Sequence, residues 1–85
     1  MERAVALGNI SISFPMDLRD KLLNVSGVVD ANFIYGPYDF YVIVEAETEE
    51  ELMDVTARIR GIEGVASTMT CRVISPEVPM ASVKE

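Results

Sequence analysis

The spacing of apolar residues alternates along the chain between a period of two and a period of about three and a half, and each change marks an element. Residues 5–14 are β-branched or small, with Ile10, Ile12 and Phe14 on one parity and Asn9, Ser11 and Ser13 on the other. That is the pattern of a half-buried strand. Pro15 ends the run, and Asp17 suits the start of a short helix whose apolar positions Leu18, Leu22 and Val25 fall at i, i+4 and i+7. Gly27 breaks that period, and residues 28–35 return to alternation, with Val29, Ala31, Phe33 and Tyr35 opposed to Asp30, Asn32 and Ile34.

Gly36-Pro37-Tyr38-Asp39 supplies turn chemistry between two β-rich runs, so the second strand and a third over residues 40–46 form an antiparallel hairpin. Thr48-Glu49-Glu50-Glu51 reads as a capping box that opens a second helix. Its acidic run meets the positive end of the helix dipole, Leu52, Val55 and Ile59 form the buried stripe, and Arg58 and Arg60 suit the C-terminal end. Gly61 is expected in the left-handed cap conformation. Residues 65–74 form the last strand, with Val65, Met69, Cys71 and Val73 on the core parity and Thr68, Thr70 and Arg72 opposite. The prolines of Ser75-Pro76-Glu77-Val78-Pro79 end strand character, so residues 75–85 are expected to be a tail, mobile or pinned by a partner, behind a single domain over residues 1–74.

An internal echo orders these elements. Val25-Ser26-Gly27-Val28 after the first helix matches Ile62-Glu63-Gly64-Val65 after the second. Two βαβ halves joined by a hairpin give an α+β, ferredoxin-like βαββαβ fold, a four-stranded antiparallel sheet with both helices on one face. The other face then carries Leu7, Ile34 and either Tyr41 and Ile43 or Phe40 and Val42, too apolar to stay exposed. A second subunit's sheet is its expected cover.

Charge and composition narrow the function. With 14 acidic against 7 basic residues, a formal net charge of −7 repels phosphate backbones and argues against direct nucleic-acid binding. No apolar run approaches the ~20 residues that span a bilayer, and a single cysteine without a leader pattern points to a cytoplasmic protein. The chain has no histidine, and Cys71 reads as a small buried hydrophobe, so no catalytic residues are assigned and the protein is not expected to be an enzyme. Glu45, Glu47, Glu49, Glu50 and Glu51 lack the spacing and glycine of a calcium loop, so no metal site is expected, and no cofactor is implied. The hairpin loop carries more information: Gly36 permits close backbone approach, Pro37 stiffens the turn and Asp39 is a fixed negative group. Thr68 and Thr70 share one strand face and offer hydroxyls to one polar ligand. Tyr35, Tyr38 and Tyr41 offer rings for stacking, although Tyr35 and Tyr41 also suit ordinary strand positions.

Taken in order and with their spacing, several stretches resemble the ligand-binding domain of the Lrp/AsnC transcription regulators, the RAM domain. They are Gly27-Val28-Val29-Asp30-Ala31, Tyr35-Gly36-Pro37-Tyr38-Asp39, Val44-Glu45-Ala46-Glu47-Thr48, Ile62-Glu63-Gly64-Val65 and Ser67-Thr68-Met69-Thr70. The resemblance implies a dimeric α/β sandwich, also described as a dimeric α/β barrel, in which two sheets face one another. It implies assembly of dimers into higher oligomers and a small effector, usually an amino acid, bound in clefts between them. Carried over, Tyr35, Gly36, Tyr38, Asp39, Thr68 and Thr70 are the expected ligand-binding residues. Gly36 and Tyr38 would offer backbone groups, Asp39 would balance an ammonium, and the threonines would serve the polar end. The chain shows no helix-turn-helix segment, and Ser13-Phe14-Pro15-Met16-Asp17 departs from the family pattern. It is therefore expected to be a stand-alone amino-acid-responsive module, a partner for full-length Lrp/AsnC regulators. Two alternatives stand beside this one: a structural oligomeric protein without ligand, and an ACT-like regulatory domain. An ACT domain usually places its ligand near a glycine after the first strand, where this chain has Phe14-Pro15.

Overall fold

The computed structural model describes residues 1–12 and 15–74. The elements run β1 (Glu2–Ile10), α1 (Leu18–Leu23), β2 (Val28–Phe33), β3 (Phe40–Ala46), α2 (Glu49–Arg60) and β4 (Val65–Arg72). All strand pairings are antiparallel, in the order β2-β3-β1-β4, which is the ferredoxin-like arrangement. Both helices pack on one face. Leu18 and Leu22 of α1 join Leu52, Val55 and Ile59 of α2 over Ala4, Ala6, Ala31, Phe40, Val42 and Val44 of the sheet. The expectations for Phe14 and for the tail over residues 75–85 lie outside the described residues.

β1 starts earlier than its hydrophobic pattern suggests and stops at Ile10, leaving Ile12 fully exposed. It is a central strand, and its length follows its neighbours: pairing with β3 ends at Gly8 opposite Phe40, and pairing with β4 ends at Ile10 opposite Val65. Its core-facing residues are small because neighbours come close. A Cβ on Gly8 would lie 2.3 Å from Cζ of Phe40, so the phenylalanine ring rests on bare backbone.

The echo between the two halves extends to the hydrogen bonds. Val25 N–H donates to Leu22 O (3.2 Å) and Val28 N–H to Val25 O (3.1 Å); Ile62 and Val65 repeat this on Ile59 O and Ile62 O, both at 3.1 Å. Gly27 and Gly64 take φ values of +102° and +104°, a backbone that residues with a Cβ rarely adopt. Gly61, by contrast, is right-handed at φ −86°, so the left-handed turn falls three residues later than expected, at Gly64. One residue after each opening valine the register slips. Val28 and Asp30 face Val44 and Ile43, leaving Val29 extra, and Val65 and Ser67 face Ile10 and Asn9, leaving Ala66 extra. These bulges reverse parity. Val28 and Val65 therefore pack against the core while Val29 is 54% exposed. Beyond the bulge in β4, Thr68, Thr70 and Arg72 oppose Gly8, Ala6 and Ala4 on the helix side, and Met69 and Cys71 oppose Leu7 and Val5 on the other. Cys71 is thus exposed on the helix-free face, not a buried core residue.

The second helix starts as its sequence suggests, with one change of partner. Glu51 N–H donates to Thr48 Oγ1 at 3.2 Å, while the Glu51 carboxylate reaches back to the amide of Glu47.

Candidate functional site

The loop between β2 and β3 is built by a few hydrogen bonds at the end of the sheet. Ile34 N–H donates to Asp39 O (2.9 Å) and Asp39 N–H to Gly8 O (2.8 Å), which ties the loop to β1. The Asp39 carboxylate turns back toward β1, where Oδ2 accepts from the Ile10 amide at 2.9 Å and, more distantly, from Asn9 Nδ2 at 3.5 Å. Asn9 Nδ2 also donates to Pro37 O at 3.2 Å, and Ser67 Oγ of β4 donates to Asn9 Oδ1 at 3.2 Å. Gly36 sits at the tip with φ +131° and open space where a Cβ would stand.

Beside this loop lies a cleft of about 480 Å³, lined by Ile10, Phe33, Ile34, Tyr35 and Asp39. Among the described residues its walls are apolar and its one charged group is Asp39. The volume suits a small molecule, since ligand pockets run to about 300–1,000 Å³. A second cleft of about 400 Å³ lies at the other end of the sheet, where Glu45, Glu47, Glu51, Asp54 and Arg58 are among its lining residues.

The six residues singled out by sequence do not converge on one point. Tyr35 and Asp39 line the cleft, with Tyr35 fully exposed at its rim. Tyr38 turns across the helix-free side of the sheet, where its hydroxyl donates to Met69 Sδ at 3.5 Å. Thr68 and Thr70 share a face as expected, but it is the helix side of β4, opposite Gly8 and Ala6, and neither lines the cleft. Sequence reasoning missed Ile10, Phe33 and Ile34 as cleft walls, Ile34 being expected on the opposite sheet face with Leu7, and Asn9 as the residue that holds the loop. Asn9 carried a legible hint, a carboxamide near the end of a strand that follows the apolar Val5 and Leu7 on the same parity.

The helix-free face is the other feature that asks for a partner. The strand pairings place Val5, Leu7, Tyr41, Ile43, Met69 and Cys71 side by side on it, which settles the alternative in β3 in favour of Tyr41 and Ile43. Toward β2 the face becomes polar: Asn32 Nδ2 donates to Tyr41 Oη at 3.0 Å, and Tyr41 Oη–H donates to Asp30 Oδ2 at 2.9 Å. Arg19 of α1 reaches round the sheet edge to Ala31 O at 2.9 Å. Among the described residues, no group of His, Cys, Asp or Glu is arranged to hold a metal ion, and no helix is long and apolar enough to cross a membrane.

Comparison with known proteins agrees with this geometry. The family model for the Lrp/AsnC ligand binding domain matches residues 15–83. Among solved structures, FFRP-DM1 is 31% identical with a TM-score of 0.77, the match covering 87% of this chain and 100% of that one. A hypothetical protein of Pyrococcus horikoshii is 29% identical at a TM-score of 0.77, covering 91% and 94% of the two chains. A feast or famine regulatory protein of M. tuberculosis, complexed with L-methionine, shares the fold at a TM-score of 0.75 and 19% identity, with 91% of this chain matching 52% of that one. A curated homocitrate synthase of Sulfurisphaera tokodaii is 39% identical over 54 residues, which are 64% of this chain but only 12% of the enzyme's length. The chain belongs to the Lrp/AsnC ligand-binding domain family.

Proposed function

We propose that this protein is a cytoplasmic amino-acid-sensing regulatory module that assembles with copies of itself through the helix-free sheet face and has no catalytic role. The observation that carries the reading is the cleft of Ile10, Phe33, Ile34 and Tyr35, whose one charge among the described residues is Asp39. A carboxylate beside apolar walls suits a molecule that joins a cationic group to an apolar side chain, as an apolar amino acid does. The M. tuberculosis protein of the same fold is complexed with L-methionine, which supports the same class of effector. In this reading Gly36 and Tyr38 offer backbone groups, and Thr68 and Thr70 serve a ligand only where a neighbouring subunit brings its cleft against β4. Full-length Lrp/AsnC regulators are the proposed larger partners.

Thermal melts across the protein amino acids test the binding. Leucine, isoleucine, methionine or phenylalanine should raise the melting temperature in a concentration-dependent way, because a ligand that binds only the native state stabilises by mass action. A flat response to every amino acid, with no change in assembly, would sink the sensing role. A second reading is favoured by the likeness to a segment of homocitrate synthase. In it, the partner is a biosynthetic enzyme rather than a transcription regulator, and co-purification with one or the other separates the two.

A further inference from the structure

The hydrogen bonds around the cleft lead to a residue that does not line it. Asp39 brings the cleft its charge, and two donors from β1 orient that carboxylate: the Ile10 amide and the Asn9 carboxamide. Asn9 lies on the helix-free parity of β1, the face shared by Val5, Leu7 and Tyr38's partner Met69, and pairs across the sheet with Ser67. Both ends of its amide are used as their chemistry requires. The NH2 group meets the oxygens of Pro37 and Asp39, while the carbonyl oxygen meets the Ser67 hydroxyl. Rotated by half a turn, the amide would set its oxygen against two acceptors, the oxygens of Pro37 and Asp39. Pro37 O and the Asp39 carboxylate, which can only accept, therefore fix the orientation in which Asn9 donates to the loop, and the Ser67 hydroxyl donates to the carbonyl oxygen on the other side.

Resting on the binding reading above, we propose that Asn9 is a positioning residue of the effector cleft. From the helix-free sheet face it holds Pro37 O and the Asp39 carboxylate, and so sets the affinity for an ammonium group that it does not touch. Ser67 supports it from β4.

The test is calorimetric titration of the full chain with L-leucine, L-isoleucine, L-methionine and L-phenylalanine, for wild type, Asn9→Ala, Asp39→Asn and the double variant. Asn9→Ala should weaken binding by about three- to tenfold, the effect expected from losing one or two hydrogen bonds. In the Asp39→Asn background the same change should cost less than about twofold, because the charge that Asn9 positions is gone; residues acting through one another are non-additive. A merely structural Asn9 would lower the melting temperature of unliganded protein and leave the two effects additive. Full additivity, or unchanged affinity in Asn9→Ala, overturns the inference while leaving the binding reading intact. Wild type that binds none of the four removes both. Should Asn9→Ala not fold, Ser67→Ala takes its place, with about twofold weakening expected and unchanged affinity counting against the role.

Discussion

Gly8 shows how a residue without a side chain shapes this core. Phe40, fully buried, lies flat on it, with three ring carbons between 2.3 and 2.8 Å from where a Cβ would be. The neighbouring inward positions of β1 are Ala4 and Ala6, also buried, so the central strand offers a shallow surface on which larger side chains from β3 and both helices meet. Gly8→Ala forces the ring or the strand to move, and overpacking of this kind costs about 1–3 kcal/mol. Urea or thermal unfolding should show that loss, whereas an unchanged midpoint would mean the Phe40 ring has room to shift. Small residues of this sort are hard to read in sequence, because alanine and glycine carry little hydrophobic signal. That is why the run through Ile12 and Phe14 stood out instead of the one through Ala4 and Ala6.

Elements were legible where local chemistry sets them. The second helix has its cap, acidic first turn, apolar stripe and basic last turn in sequence order, and the structure places it at Glu49–Arg60 with Leu52, Val55 and Ile59 buried. Thr48→Ala removes the hydroxyl that accepts the Glu51 amide and should cost about 0.5–2 kcal/mol, measured by chemical denaturation. A smaller effect would mean that the Glu51 contact with the Glu47 amide maintains the turn alone. The echo around Gly27 and Gly64 was equally visible as a repeated glycine-valine pair, although the left-handed backbone was expected at Gly61 and is found at these two glycines instead. The bulge one residue beyond each valine was not. A bulge depends on how a strand meets its neighbour, and its consequence, the reversal of parity in β4, moved Cys71 and Met69 to the helix-free face and Thr68 and Thr70 to the helix side.

At the scale of the molecule, the helix-free face sets the largest demand. Val5, Leu7, Tyr41, Ile43, Met69 and Cys71 form a contiguous apolar surface whose polar border is already satisfied: Asn32 donates to Tyr41, which donates to Asp30. Such a border can be covered without orphaning a donor, which suits burial by another sheet. Leu7→Lys, near the middle of this surface, would place an unpaired ammonium in the proposed contact between subunits. It should weaken self-association by at least about tenfold, since an unpaired buried charge costs several kcal/mol. Sedimentation or light scattering over a dilution series reads this directly, and an unaltered association state would move the interface elsewhere. The surface ion pairs Arg3–Glu45 and Arg72–Glu49 are partly exposed and contribute little beside it.

By itself the sequence determined the order of the elements, the ferredoxin-like class, the capped second helix, the repeated glycine-valine strand openings and the family, because each rests on short-range patterns of period, turn chemistry and spacing. Tertiary structure decided what depends on strands meeting: where β1 stops, which parity of β4 faces the helices, and that Asp39 is held by Asn9 and Ile10 from a strand some thirty residues earlier. It also divided the six candidate residues between the cleft, the loop tip and the two sides of the sheet. Side-chain direction in a sheet is fixed by register, and register belongs to pairs of strands rather than to any one of them.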